Sequence, residues 1–515
     1  MEWFSAEGYW LSRLIFQRAL ALVYLVAFLC AANQFRALIG ERGLLPVPVY
    51  LRRASFRKAP SLFHLHYSDR FFAAVAWTGV LTSGVVLIGL ADGLPFLAHM
   101  AVWALLWVLY LSIANVGQLW YSFGWESLLC ETGFFAVFLG PSTAAPPLLV
   151  LLALRWLLFR LEFGAGLIKI RGDRCWRDLS CLYYHHETQP MPNPLSWYFH
   201  HLPKPLHKVE VATNHVTQLV VPFLFFMPQP VAGTAAIVVI VTQSWLLLSG
   251  NFSWLNTLTI VIATATVGDR LWQAMLGVSP PTDLVESPVW YQGLVVALAA
   301  GTVILSYWPA RNLLSRGQLM NYRFNPFQLV NAYGAFGSIT RVRHEIVIEG
   351  TDDPDPGPDT QWREYEFKGK PGDVRRRPPQ VAPYHLRLDW LMWFAALSPA
   401  YAESWFLEFV TKLLENNPAT LKLLRHNPFP DTPPACVRAS YYRYRFTDRR
   451  ARRQTGAWWE RTLVGEYVPP ITLTARTQPR PTDQPVGRHP VGGSRTLPRL
   501  VRRLGMPFGR VRRVS

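Results

Sequence analysis

Acidic and basic side chains suited to proton transfer lie beside apolar segments in one part of the sequence. Glutamate, lysine and histidine act as general acids or bases when a substrate comes within hydrogen-bond reach. The candidates for this role are Glu162, Lys169, His185, Glu187 and His215. Their position next to apolar segments is consistent with an enzyme that acts on a lipid or quinone-like substrate at a membrane surface.

The stretch over residues 171–205 is rich in histidine and proline. Histidine nitrogens and glutamate oxygens are common metal ligands. Adjacent histidines, such as His185 and His186 or His200 and His201, rarely ligate one ion together, and the prolines indicate a rigid surface loop. The sequence therefore predicts no metal and no cofactor. It also lacks the P-loop, G-x-S-x-G and H-E-x-x-H signatures of common enzymes.

Two of the five cysteines, Cys175 and Cys181, bracket the stretch C-W-R-D-L-S-C. They are close enough in sequence to form a disulfide if the backbone turns between them. On an oxidising face of a membrane the pair would be a local staple, and in a reducing compartment it would stay as two thiols. The spacing matches neither the C-x-x-C redox motif nor the usual zinc motifs.

These residues must be positioned by long apolar segments, which fill most of the first 310 residues. Of 515 residues, 50% are hydrophobic and only 16% are charged, against roughly 25% charged in soluble chains. A membrane-spanning helix needs about 20 mostly apolar residues. Nine segments reach or approach that length, and two of them are short: Leu14–Ala32, Phe71–Ala91, Pro95–Asn115, Ser127–Leu139 (short), Pro147–Leu167, Val211–Met227, Val231–Ser249, Trp254–Val267 (short) and Val289–Trp308. The prediction is a polytopic α-helical membrane protein with about nine transmembrane helices.

Several ionisable residues lie inside or beside these segments, including Glu126, Glu131, Arg155 and Arg160. Charges within a bilayer are costly, so each is a candidate functional residue. Hydrogen bonding that fixes the packing of helices is the more common role of such residues. We therefore expect most of them to hold helices together.

Positively charged residues are concentrated in three segments: residues 33–70, residues 169–208 and the chain after the last span. With nine spans all three lie on one side of the membrane, and residues 268–287 lie on the other. Because cytoplasmic loops carry an excess of lysine and arginine, this count places the C-terminal part in the cytoplasm.

The pattern changes to that of a soluble domain from about residue 318. Alternating apolar and polar residues predict strands over Ser338–Glu349, Trp362–Lys368 and Ser440–Phe446. Leu388–Leu397 and Ala402–Leu414 read as helices. The C-terminal domain is therefore expected to be mixed α/β and rich in strands.

Three parts follow from this organisation: a multi-span transmembrane domain over 1–317, a soluble domain over 318–470 and a disordered, Arg-rich tail over 471–515. The tail has ten arginines, one aspartate and almost no apolar run, so it cannot build a core. Basic residues beside a membrane are attracted to anionic headgroups. We therefore expect membrane lipids as partners of the tail, and no nucleic acid.

One continuous run carries a resemblance to a known family. Phe159–His201 reads F-R-L-E-F-G-A-G-L-I-K-I-R-G-D-R-C-W-R-D-L-S-C-L-Y-Y-H-H-E-T-Q-P-M-P-N-P-L-S-W-Y-F-H-H, which resembles the signature of the lipase maturation factor family. Supporting stretches occur in family order: Gly117–Glu131, Glu210–Pro222, Gly250–Leu258, Asn331–Val342, Trp362–Gly369 and Ala382–Trp393. The resemblance covers about residues 1–470.

The resemblance implies a polytopic membrane protein whose vertebrate members reside in the endoplasmic reticulum and help dimeric lipases to fold and assemble. It places the C-terminal domain in the lumen, which is opposite to the charge count. The location expected is the endoplasmic reticulum membrane for a eukaryotic member and the plasma membrane for a bacterial one. The family is also distantly similar to membrane-embedded carboxylases, so the alternative is a carboxylase-like enzyme or an oxidoreductase.

The leading hypothesis is therefore a chaperone-like maturation factor whose partner is a lipase-like client protein. Under this hypothesis the protein is not an enzyme. We expect the loop over residues 175–193 and the soluble domain to contact the client. The residues expected to contact the client or to structure this loop are Arg171, Asp173, Trp176, Arg177, Asp178, Gln189 and Asn193. A transporter is a third hypothesis, although no inverted repeat is visible.

Overall fold

The structure is a computed structural model that describes residues 3–473, so the tail predicted over 471–515 lies almost wholly outside the described residues. Within residues 3–305, nine helices contain ten or more residues, and each corresponds to one predicted apolar segment. They are α1 (Trp10–Leu38), α2 (Asp69–Leu87), α3 (Phe96–Val116), α4 (Gly124–Ala136), α5 (Leu148–Arg171), α6 (Lys204–Leu219), α7 (Val231–Ser249), α8 (Leu255–Thr264) and α9 (Val289–Leu305).

Proline marks the start of five of these helices. The residue immediately before each of α3, α5, α6, α7 and α9 is a proline, and these are Pro95, Pro147, Pro203, Pro230 and Pro288. Proline lacks an N–H to donate, and the first turn of a helix leaves its N–H groups unpaired within the helix. Its fixed φ also suits the entry into a helix. These five helices therefore begin after a proline and without a hydrogen bond from a capping side chain.

Among residues 3–473, six helices are by length and composition alone apolar enough to cross a membrane, so the predicted count of about nine is approximate. They are α1, α2, α3, α6 with its 3-10 extension, α7 and α9 with the short helix after it. Helix α5 has 24 residues but carries buried Arg155, Arg160 and Glu162. Helices α4 and α8 have only 13 and 10 residues, and a rise of about 1.5 Å per residue makes both shorter than a bilayer core of about 30 Å.

The connecting segments gather at two opposite ends of the helical bundle. At one end, Arg171 donates to the carbonyl of Leu313 (2.8 Å), and Gln34 donates to the carbonyl of His385 (2.7 Å). At the other end, Ser142 donates to the carbonyl of Asp92 (2.9 Å). The first end therefore carries residues 33–70, the connector over residues 172–203 and the C-terminal domain, as a nine-helix arrangement requires.

The C-terminal domain contains a four-stranded antiparallel sheet in the order β2–β1–β5–β6, with a separate β3–β4 pair. The strands are β1 (Arg343–Thr351), β2 (Arg363–Glu364), β3 (Glu366–Phe367), β4 (Leu424–His426), β5 (Cys436–Phe446) and β6 (Trp459–Ile471). Helices α10 (Arg387–Leu397) and α11 (Phe406–Leu414) pack against the sheet, and Tyr441 donates from β5 to the carbonyl of Ala396 (2.8 Å).

All three predicted strands are found, with different bounds, and two strands, β4 and β6, were not predicted. The predicted strand over Trp362–Lys368 is two short strands, because β2 pairs with β1 while β3 pairs with β4. Strand β6 lies at an edge of the sheet, is mostly exposed and ends at two prolines. A strand of this kind lacks apolar–polar alternation because only part of one face packs on the domain, and proline is tolerated at an edge.

Two buried carboxylates fasten the C-terminal half to the bundle. Glu126 of α4 accepts a hydrogen bond from Arg387 (2.7 Å). Glu131 of α4 forms an ion pair with Arg160 and accepts from the backbone N–H of Asn331 (2.9 Å). These side chains are almost completely buried. They take the packing role that was predicted for ionisable residues in the apolar segments.

Candidate functional site

A cavity of about 650 Å³ lies where helices α5 to α8 meet the connector and residues 320–338. This volume falls within the range of roughly 300–1,000 Å³ that is typical of small-molecule sites. Most of its wall is apolar or aromatic. The aromatic residues that line it include Trp125, Trp176, Trp245, Phe252, Phe336 and Trp390. Such a wall suits a molecule with a large apolar part.

A chain of hydrogen bonds crosses the wall of this cavity. Lys169 donates to Asn214 (2.8 Å) and to Gln218 (2.9 Å). Gln218 donates in turn to Glu162 (3.2 Å), and Gln243 donates to the other oxygen of Glu162 (2.7 Å). The ammonium and the carboxylate therefore interact through an amide and not directly. Three helices, α5, α6 and α7, contribute to this network.

Several buried polar atoms in the cavity wall have no hydrogen-bond partner among residues 3–473. They are the carbonyl oxygen of Asn256, the indole N–H of Trp390 and both ring nitrogens of His186. Asn256 uses its amide N–H to join the network through Gln243 (3.0 Å). Buried polar groups almost always have a partner. Their exposure to a cavity is explained if a polar ligand or water supplies the missing bonds.

Only three of the five predicted acid–base residues line the cavity: Glu162, Lys169 and His185. The ring of His185 stacks on Phe252, with centroids 6.0 Å apart. Burial, together with the nearby charge of Lys169, lowers the pKa of His185 to about 4. His185 is therefore neutral near pH 7 and offers one nitrogen donor and one acceptor.

Glu187 and His215 do not line this cavity. Glu187 accepts from the backbone N–H of Phe446 in β5 (2.8 Å), and burial raises the pKa of its carboxyl. A ring nitrogen of His215 lies 3.0 Å from the carbonyl oxygen of Trp176. Glu187 thus joins the connector to the sheet, and His215 joins α6 to the connector.

The start of the connector is fastened by Asp173. Its carboxylate accepts from the backbone N–H of Cys175 (3.0 Å) and from the guanidinium of Arg341 (2.7 Å). The hydrogen bond from Arg341 is the main reason why the pKa of Asp173 is lowered. Cys175 and Cys181 are joined in a disulfide, with their Cα atoms 4.8 Å apart. The indole of Trp176 donates to the carbonyl of Phe336 (2.8 Å), at the cavity wall.

The other predicted loop residues fall into two groups. Arg171, Gln189 and Asn193 make hydrogen bonds that hold the connector against neighbouring segments. Gln189 donates to the carbonyl of Ser249 (2.9 Å), and Asn193 donates to that of Leu247 (3.2 Å). Arg177 and Asp178 are exposed, as Arg171 is, and Asp178 pairs with Arg174 (3.1 Å). The bonds of Arg171, Gln189 and Asn193 tie the connector to its neighbours, and Arg177 and Asp178 are open to another molecule.

One group of residues at the edge of the cavity has the geometry of a metal site. One ligand atom from each of His186, His207 and Glu210 lies within 4.8 Å of the others. His207 and Glu210 are three positions apart on α6, and their side chains are 2.9 Å apart. The sequence argument, which considered adjacent histidines, did not foresee this group because helix α6 brings in His207 and Glu210.

The sequence argument also missed the amide residues of the network, which are Gln218, Gln243 and Asn256. Each lies in an otherwise apolar segment, and that is the signal that could have found them, since buried polar residues in a membrane helix need partners. Their partners could not be read from the sequence. Gln218 and Gln243 are 56 and 81 positions from Glu162.

The fold and the cavity define a class: a polytopic helical membrane protein whose strand-rich C-terminal domain is docked on the bundle. Residues 11–274 match the family described as lipase maturation factor transmembrane domain, and residues 329–469 match lipase maturation factor C-terminal domain. The chain belongs to the lipase maturation factor family.

Named relatives extend over nearly the whole chain. Lipase maturation factor 1 of Mus musculus is 41% identical over 530 residues, covering 93% of this chain and 91% of that protein. Lipase maturation factor 1 of Homo sapiens is 42% identical over 502 residues, covering 90% and 88%. Lipase maturation factor 2 of Homo sapiens is 28% identical over 599 residues, covering 90% and 83%. No solved structure matches the chain.

Proposed function

We propose that this protein is an integral membrane factor that assists the folding and assembly of secreted lipases. The observation that carries the proposal is the identity of about 42% to lipase maturation factor 1, which covers nine-tenths of this chain. The alternative, a membrane enzyme that acts on a lipid or quinone-like substrate, is not favoured, because the relatives above are named as maturation factors.

The proposed client surface combines the exposed part of the connector with the C-terminal domain. Arg177 and Asp178 are exposed beside the disulfide. Strand β6 is an edge strand, and its Leu463 and Val464 side chains are exposed. An exposed edge with apolar side chains offers backbone hydrogen bonds and apolar contact to a partially folded chain.

We further propose that the C-terminal domain lies on the oxidising side of the membrane, in the endoplasmic reticulum lumen. Two observations support this side. The connector carries a disulfide, and disulfides persist in oxidising compartments. The connector also contacts the C-terminal domain directly, through Asp173 and Arg341, so the two share one side. The count of positive charges predicts the opposite side, and that prediction is open to test.

The functional test is complementation. Cells that lack their own family members and express a secreted lipase would receive either this protein or an empty vector. The expected result is a rise in the specific activity of the secreted lipase only where the protein is present. An Arg177→Ala, Asp178→Ala variant should lower this gain without loss of folded protein. Unchanged lipase activity in the presence of well-expressed protein would refute the proposed function.

The side of the membrane is tested with a reporter that is active on only one side. Fusion of this reporter after Ser515, with a second fusion in the loop over residues 277–287 as the matched control, reports both ends of the bundle. A C-terminal signal from the lumen is expected. A C-terminal signal from the cytoplasm would favour the charge count and reject the lumenal placement.

A further inference from the structure

We propose that the cavity between α5 and α8 binds one zwitterionic phospholipid, with its headgroup inside the cavity and its acyl chains leaving between α6 and α7. This inference does not depend on the proposed function, because it rests on the openings, the charges and the unpartnered polar atoms of the cavity.

One opening of the cavity faces the lipid phase. Val209 and Thr213 of α6 and Val241 and Trp245 of α7 line the cavity and are exposed side chains. The exposed fractions of Val209 and Val241 are 60% and 61%. Both helices are long and apolar enough to span a membrane. An opening between two such helices admits a molecule from the side, directly from the bilayer.

A second opening lies at the end of the bundle that carries the C-terminal domain. Ser122, Asn321 and Ser338 line the cavity and are exposed there. All three are in loops and not in spanning helices. The cavity therefore joins the lipid phase to the water at one membrane surface. Such a path fits an amphipathic molecule, whose polar end reaches water and whose apolar end stays in the bilayer.

The charges in the cavity favour a headgroup that carries both signs. The wall holds one ammonium, that of Lys169, and two carboxylates, those of Glu162 and Glu210. A lipid phosphate would pair with Lys169, and a lipid ammonium would pair with a carboxylate. An anionic headgroup without an ammonium would bring no positive charge to the two carboxylates, and a neutral lipid would bring no counter-charge to any of the three groups.

The aromatic wall fits the positive part of such a headgroup. The ring of Trp245 donates to Glu210 (2.8 Å), which places an aromatic face and a carboxylate together at the lipid opening. Aromatic side chains attract quaternary ammonium groups through their negative faces. The unpartnered indole N–H of Trp390 and the one N–H of the neutral His186 ring add donors for the phosphate and glycerol oxygens.

The test uses the full chain, purified in mild detergent after incorporation into vesicles that contain equal amounts of phosphatidylcholine, phosphatidylglycerol and diacylglycerol. Lipid that remains bound is measured by native mass spectrometry. The expected result is about one phosphatidylcholine per chain, as for a single pocket of this size. Retention of phosphatidylglycerol or diacylglycerol in place of phosphatidylcholine, or of no lipid at all, would overturn the proposal.

Two kinds of variant assign the bound lipid to this cavity. Thr213→Trp fills the opening between α6 and α7 without changing a charge, and Lys169→Met removes the partner of the phosphate. Each should reduce bound phosphatidylcholine by about tenfold, which corresponds to a loss of about 1.4 kcal/mol of binding free energy. Val303→Trp, on the lipid-exposed face of α9, is the matched control and should change nothing. If Thr213→Trp folds and retains as much lipid as the control, the lipid lies elsewhere and the proposal is wrong.

Discussion

Two buried charged clusters share helix α5 and differ in what surrounds them. Arg160 pairs with Glu131 and donates to the carbonyl of Asn331 (2.6 Å), within tightly packed protein. Glu162 lies only two positions further along the helix but faces the cavity, where its partners are the amides of Gln218 and Gln243. Two positions on a helix correspond to a rotation of about 200°, so the two side chains point to opposite sides.

The difference shows how a membrane protein can use buried charge in two ways. In the packed cluster each charge has an opposite charge beside it, so the cluster fixes the position of the C-terminal half on the bundle. In the cavity cluster neutral amides separate Glu162 from Lys169, and the charges remain available to a third molecule. We therefore expect changes in the packed cluster to act on folding and changes in the cavity cluster to act on binding.

The largest effect is expected where the packed cluster loses one charge. Glu131→Gln leaves Arg160 buried without its counter-charge, and removal of one partner from a buried pair costs roughly 3–5 kcal/mol. We expect aggregation in size-exclusion chromatography and a large fall in the unfolding temperature in detergent. Arg174→Ala, which breaks the exposed pair with Asp178, should leave both unchanged. Wild-type stability of Glu131→Gln would contradict the packing role of this cluster.

A smaller effect on stability is expected from loss of the disulfide beside the cavity. Replacement of Cys175 and Cys181 by serine opens a loop whose ends are six positions apart, and loss of a disulfide that closes such a short loop costs about 2 kcal/mol. Because Trp176 lies within this loop and lines the cavity, bound phospholipid should fall together with the unfolding temperature. The control is Cys436→Ser, at a free cysteine in β5. Equal lipid retention by the double variant and the control would show that the disulfide does not help to shape the cavity.

Acid should weaken the packing of the connector beside the cavity. Burial lowers the pKa of His185 and of His200 to about 4, whereas unfolded histidine titrates near 6.5. Between these values the unfolded chain binds more protons, so this contribution is complete above about pH 6.5 and is lost as the pH falls toward 4. The limiting slope is about 1.4 kcal/mol per pH unit for each histidine.

The measurement for this prediction is the unfolding temperature at pH 7.5 and at pH 5.0. A His185→Phe variant, which keeps an aromatic ring against Phe252, should lose less stability on acidification than the wild type. His426→Gln, at an exposed histidine of β4, is the control. The same loss in all three proteins would show that His185 does not govern the acid response.

The smallest effect on stability is expected for Glu162→Gln. The shape of the side chain is kept, and a net hydrogen bond contributes about 1 kcal/mol, so the free energy of unfolding should change by no more than about that amount. Retained phosphatidylcholine should fall, because one carboxylate of the headgroup site is lost. A large loss of stability with unchanged lipid retention would place Glu162 with the packed residues instead.

The sequence predicted the parts of this molecule that depend on local pattern. Length and hydropathy located all nine helices, since each needs only a run of apolar residues, and the strand pattern located β1 and β5. Strand β6 was missed because it is an exposed edge. The count of about nine spans is approximate because α4 and α8 are short and buried inside the bundle, and α5 carries buried charges.

The candidate site was predictable only in part, because its contacts join distant positions. Glu162, Lys169 and His185 were named from their types and their places beside apolar segments. Gln218 and Gln243 were not, since the need for their amides appears only when α6 and α7 pack on α5. Glu187 lies two positions after His185 but is turned toward β5. No local pattern distinguishes the two directions.

The account is tested most directly by measuring folded protein and secreted lipase activity together for two variants, Arg160→Met and Lys169→Met, in cells that lack other family members. Each variant removes one buried charge from the same helix, one from the packed cluster and one from the cavity. We predict that Arg160→Met lowers folded protein and lipase activity in proportion. Lys169→Met should keep most of its folded protein but lower the lipase activity gained per folded molecule. Full lipase activity per folded molecule in Lys169→Met would contradict the account.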